Sequence, residues 1–112
     1  MSHITDSCRL EVEAQLELAR VVLRVEGEVD LAVVPGLDQA VRELYETGCP
    51  HVVVDLRAVR FIDSCGLVWL LDATRDAQQS GRALSLVDGS PAVSRLLELT
   101  GMRKQFAWTR VA

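Results

Sequence analysis

Residues 51–56, His-Val-Val-Val-Asp-Leu, constrain the fold of this chain more than any other segment. Consecutive β-branched residues without alternation read as a strand buried on both faces, the situation of a parallel sheet covered by helices. Parallel neighbours require crossover connections, and the flanking sequence supplies them. Over 31–46, Val34, Leu37, Val41 and Leu44 recur at helical spacing with Ala40 beside them. Pro35 fits a first turn, where its missing N–H costs nothing. Cys65 to Ser80 reads as a second helix with Leu67, Leu70, Leu71, Thr74 and Ala77 inward, stopped by Gly81. Ala83 to Val87 is another short strand. Ser90 as N-cap and Pro91 at the first helical position then open a third helix through Leu99, ended by Gly101.

Ahead of this unit the pattern changes to period two. Leu10, Val12 and Ala14 alternate with Glu11, Glu13 and Gln15, and Val21, Leu23 and Val25 repeat the alternation, which predicts a hairpin of half-buried strands. Gly27 to Asp30 reads as a break, with Asp30 capping the helix that follows. About the first seven residues are expected to fray, and Gln105 to Val111 is expected to close the sheet as an edge strand. The prediction is an α/β fold, a mixed sheet of four to five strands with helices packed on it through right-handed βα crossovers. A chain of 112 residues suits one domain with one core, spanning 1–112.

Composition narrows the function. A net charge of −4 argues against a nucleic-acid partner, since phosphate neutralisation needs a basic face. No apolar run approaches the ~18 residues of a membrane span, so no membrane role is expected and the chain reads as soluble and cytoplasmic. Cys8, Cys49 and Cys65 are odd in number and lack metal-ligand spacing, so they read as reduced thiols with neither a disulfide framework nor a metal site. No cofactor-binding glycine motif is present. The histidines are His3, in the expected tail, and His51, a solvated residue opening a strand. A six-residue strand spans about 18–20 Å, too far for His51 to serve Ser64 or Cys65 as a base. No catalytic residue is assigned.

The segment Asp63-Ser64-Cys65-Gly66-Leu67 carries the remaining chemistry. A strand enters, a turn bears an acid and a hydroxyl, and a helix begins, with Ser64 at or beside its N-cap. Ser64 is there either as a simple cap, with Gly66 permitting close packing, or as a phosphorylation site facing helix N-terminal amides. A phosphoryl group would add about −1.5 to −2 charges beside Asp63 and make a binding surface repulsive. Val68 and Trp69 fall outside the inward stripe, with Asp72 and Arg75 nearby; Trp69 is either a partner anchor or packed beneath a neighbouring loop. Glu28, Asp30, Asp63 and Asp72 form an acidic set suited to a basic partner or to solvent.

Taken in order, Gly27-Glu28-Val29-Asp30 before a helix, Val52-Val53-Val54-Asp55-Leu56, and Phe61-Ile62-Asp63-Ser64-Cys65-Gly66-Leu67 resemble the STAS family, named for sulphate transporters and anti-sigma factor antagonists. Leu96 to Met102 resembles that family's final helix and its stop. The resemblance implies a STAS-like fold and a stand-alone, non-enzymatic anti-sigma factor antagonist, monomeric by default. Such a protein binds an anti-sigma factor, usually also a GHKL-type serine kinase, and so frees a sigma factor. The kinase phosphorylates the serine after the motif aspartate, here Ser64, and a PP2C-type phosphatase reverses this. Asp30 matches the earlier motif aspartate and is expected near Ser64, shaping the partner-facing site. The expected partner-binding residues are Asp30, Asp63, Ser64, Cys65, Val68, Trp69 and Asp72. Cys65 stands where the family often has Ser or Thr, and its thiol is either inert packing or a redox sensor. Two other readings are a STAS adaptor subunit of a transporter or stress-sensing complex, with Ser64 only capping, and a receiver-like domain using Asp55 as phosphoryl acceptor.

Overall fold

The computed structural model describes residues 2–111. Five strands form one sheet: β1 (Ser2–Thr5), β2 (Cys8–Gln15), β3 (Arg20–Val29), β4 (His51–Ile62) and β5 (Ala83–Val87). They lie side by side in sequence order. β1, β2 and β3 are antiparallel, whereas β3, β4 and β5 are parallel. Helices α1 (Val34–Glu46) and α2 (Ser64–Gln79) make the two crossovers, and α3 (Pro91–Thr100) follows β5. No helix among the described residues is long and apolar enough to cross a membrane.

Alternation assigns the faces. Leu23, Val25, Val52, Val54, Leu84 and Leu86 point to the side on which all three helices pack, and form one core with them. Val22, Val53 and Val87 point to the other side, where Val111 packs against them. Each fully buried leucine or valine contributes about 1.5–3 kcal/mol of transfer free energy, so the helix-covered face dominates the folding drive. β4 is thus buried on both faces as its composition predicts, but its second face is covered by the C-terminal segment and by charged side chains.

The ends of several elements differ from expectation, each for a backbone reason. Of the residues expected to fray, Met1 lies outside the described residues, and residues 2–5 form strand β1, with Ile4 packed against the core. Its polar residues pair through main-chain groups, which leave no hydropathy signal. β3 continues through the expected break at Gly27. That glycine has φ +108°, a Cβ there would collide with the Ser7 carbonyl, and the β3–β4 register shifts after it. Gly27 therefore makes an irregularity in the strand without ending it.

Asp30 does not cap α1, which begins only at Val34. Its carboxylate instead accepts from the Ala32 amide at 3.0 Å, and its carbonyl accepts from the amides of Val33 and Val34, making a turn of 30–33. β4 runs to Ile62, well beyond the expected Leu56. Ser90 caps α3 as predicted, accepting from the Val93 amide at 3.3 Å, and Gly101 ends that helix in the left-handed region. The expected closing strand is reduced to one parallel bridge between Leu86 and Trp108, preceded by a 3-10 turn at Arg103–Gln105.

Candidate functional site

The site forms where β3 and β4 end together. Their parallel register pairs Val29 with Ile62, and the Asp63 amide donates to the Val29 carbonyl at 3.2 Å. The turn after β3 and the start of α2 are thereby held side by side. Gly66 allows this closeness, since a Cβ on it would lie 2.8 Å from Val29 Cγ1 and 2.9 Å from Ile62 Cγ1.

Asp63, and not Ser64, is the N-cap of α2: its Oδ1 accepts from the Gly66 amide at 3.1 Å. Ser64 is the first helical residue and is exposed, with its hydroxyl uncommitted to capping. The amides of Ser64 and Cys65, at the first two helical positions, have no intrahelical acceptor and point toward this exposed end. The helix dipole adds partial positive charge there, so the position favours an anion.

Beside Ser64 runs a shallow, mainly apolar groove of about 320 Å³ lined by Leu31, Val34, Cys65, Val68, Trp69 and Asp72. Leu31 is 69% exposed and Val68 55%, and Phe61, at 48%, is exposed two residues before the cap. Exposed apolar side chains grouped this way mark a binding surface more often than a solvated one. Leu31 and Val34 escape sequence reasoning because only the long-range β3–β4 register brings them to Ser64; Phe61, three residues before Ser64, lies in the same segment as the serine. The signal available was an apolar residue directly after a motif aspartate.

The other anticipated residues divide. Cys65, Val68 and Asp72 surround Ser64 as expected. Asp30 reaches the same sheet end but does not line the groove; it folds the turn that presents Leu31. Burial, and then the charge of Asp30, push the Cys8 thiol above its usual value, so Cys8 is an unreactive core residue.

Trp69 corrects the expectation of an aromatic off the core face. It is only 6% exposed and packs in the core, its Nε1 donating to Asp38 Oδ1 of α1 at 3.2 Å. Helix α2 meets α1 as well as the sheet, so its buried arc is wider than one stripe and takes in Trp69 and Ala73. Leu71, expected inward, is only half-buried. Burial pulls the Asp38 carboxyl up, but hydrogen bonds from Arg42 and Trp69 outweigh it and hold it below the usual range.

Asp55 lies on the sheet face opposite the helices, with 1% of its side chain exposed. Arg57 Nη2 reaches it at 2.8 Å and Arg24 Nε at 3.2 Å. Desolvation raises its pKa, yet the hydrogen bonds from Arg57 and Arg24 prevail and the net shift is downward. A carboxylate buried in mid-strand under two guanidiniums is closed to phosphoryl transfer. His51 is half-buried, bonded to Ser85 Oγ at 2.8 Å, where it was expected to be solvated. The length of β4 separates it from Ser64.

A family model described as "Mlab, STAS domain" matches residues 12–108. The chain belongs to the STAS family. This STAS domain is 29% identical over 99 residues to an anti-sigma F factor antagonist of Paenibacillus polymyxa, covering 85% of the chain and 82% of that relative. It superposes on the crystal structure of an anti-sigma factor antagonist from Mycobacterium paratuberculosis with a TM-score of 0.75 and 30% identity, over 95% of this chain and 88% of that one. The anti-sigma factor antagonist SpoIIAA in its unphosphorylated form gives a TM-score of 0.71 at 19% identity, over 91% and 89% of the two chains, which establishes a common fold.

Proposed function

We propose that this STAS domain is a non-enzymatic anti-sigma factor antagonist that acts in the cytoplasm as a monomer and is switched off by phosphorylation of Ser64. Its partner on this reading is an anti-sigma factor that is also a GHKL-type serine kinase, and a PP2C-type phosphatase resets it. The carrying observation is the exposed Ser64 hydroxyl at the first position of α2, next to an apolar groove and free of the capping bond. Similarity to relatives named as anti-sigma factor antagonists supports the choice of partner class.

The mechanism is electrostatic. In the unmodified state the partner covers Leu31, Phe61 and Val68, with Asp63 and Asp72 meeting basic groups around them. A phosphoryl group on Ser64 adds about two negative charges in the middle of that contact, and desolvating them on binding is costly. The Ser64 and Cys65 amides stabilise the phosphate where it is formed, so the backbone need not move.

Incubation with ATP and the cognate kinase, followed by mass spectrometry, is expected to place phosphate on Ser64 and to give no label in Ser64→Ala. Titration calorimetry with the anti-sigma factor is expected to show Ser64→Ala binding like wild type and Ser64→Asp about tenfold or more weaker, a loss of ~1.4 kcal/mol. Equal affinities would remove the charge mechanism and favour the adaptor reading of the same groove.

A further inference from the structure

Away from Ser64, the outer edge of β2 is the most open part of the sheet. β1 pairs only with Cys8, Arg9 and Leu10. From Glu11 to Gln15, β2 has β3 on its inner side and no strand on its outer side among the described residues. Such an edge offers a row of N–H and C=O groups to any extended chain. Val12, 55% exposed, points to the α1 side, where it borders a groove of about 630 Å³ between β2 and α1. Ile4, Leu10, Leu23, Ala40 and Leu44 also line this groove, while Glu11 and Glu43 stand at its margins. Glu13 follows on the same strand face as Glu11.

We propose that this edge is a strand-addition site for an extended segment of a partner protein in which aliphatic residues alternate with lysine or arginine. Main-chain pairing along Glu11–Gln15 supplies the attachment, alternate aliphatic side chains enter the groove, and the basic ones lie opposite Glu11 and Glu13. Glu11 is shared with Arg24 at 3.5 Å, while Glu13 takes only the Gln15 amide and has no ion pair among the described residues, so the outer edge is left acidic and argues for a basic occupant. It also argues against a second copy of this chain, because two-fold pairing of 11–15 with itself centres on Glu13 and sets like charges opposite each other. The proposal is independent of the function assigned to Ser64.

The test titrates the ¹⁵N-labelled full chain with an acetylated Lys-Val-Lys-Val-Lys-Val peptide. Saturable shifts at the amides of Glu11–Gln15 and Leu44 are expected, together with slowed hydrogen exchange across 11–15. A peptide with glutamate in place of lysine is expected to bind about tenfold more weakly, as the two cross-strand charge pairs with Glu11 and Glu13 turn from attractive to repulsive. The double variant Glu11→Lys/Glu13→Lys should invert that preference. Val12→Glu, which charges the groove and keeps both carboxylates, should abolish binding while leaving the spectrum folded. No shifts at millimolar peptide, shifts without exchange protection, or self-association of the chain through this edge would each overturn the proposal.

Discussion

Asp63 and Ser64 divide tasks that a capping serine would have to combine. The carboxylate closes the helix by accepting from the Gly66 amide, and the hydroxyl next to it stays available. Asp63→Ala should therefore lose about 1 kcal/mol in a denaturant titration, the usual cost of a deleted cap, while Ser64→Ala stays within about 0.5 kcal/mol of wild type. Gly66→Ala should lose about 1–3 kcal/mol, since the new methyl meets Val29 Cγ1 at 2.8 Å and the Val29 carbonyl at 3.2 Å. Asp55, like Asp38 and Asp88, ties stability to acid pH. Its folded pKa lies below the ordinary 3.8, so its contribution is complete above about pH 4 and is lost as pH falls through the folded value. Asp55→Asn should cost about 2 kcal/mol at pH 7, because Arg57 loses its carboxylate partner and Arg24 keeps only Glu11. The difference in Tm between variant and wild type should shrink as the pH falls below about 4.

Helix α2 shows most clearly what could be read in advance. Its Leu67, Leu70, Thr74 and Ala77 face inward as their spacing predicts, because a 3.6-residue period needs no knowledge of the rest of the fold. Trp69 was misplaced because α1 covers a second side of the helix, a tertiary fact absent from local sequence. Trp69→Phe should reduce stability by about 1 kcal/mol through loss of the bond to Asp38, with little effect on partner affinity; a large affinity loss at unchanged stability would restore it as an anchor. The β2–β3 hairpin was equally legible from alternation. Val12 and Ala14 nevertheless lie exposed, although the alternation puts them on the buried face of a half-buried strand, since no element covers that part of β2. Strand ends were the least legible, because a positive-φ glycine at 27 and a polar first strand act through main-chain geometry. At the site, Ser64, Cys65, Val68 and Asp72 were found from one contiguous segment. Leu31 and Val34 needed the pairing of Val29 with Ile62.

At the scale of the whole molecule, the parallel strands β3 and β4 end at the Ser64 groove, and the 3-10 turn Leu16–Leu18 precedes the start of β3 at the other end. Ten residues of strand put roughly 30 Å between the two ends. An optical reporter on Glu17 of that turn would stand clear of anything docked at the far end. Paired with a second dye on the docked molecule, it would follow engagement and release by energy transfer in real time, without a label intruding on the contact being watched.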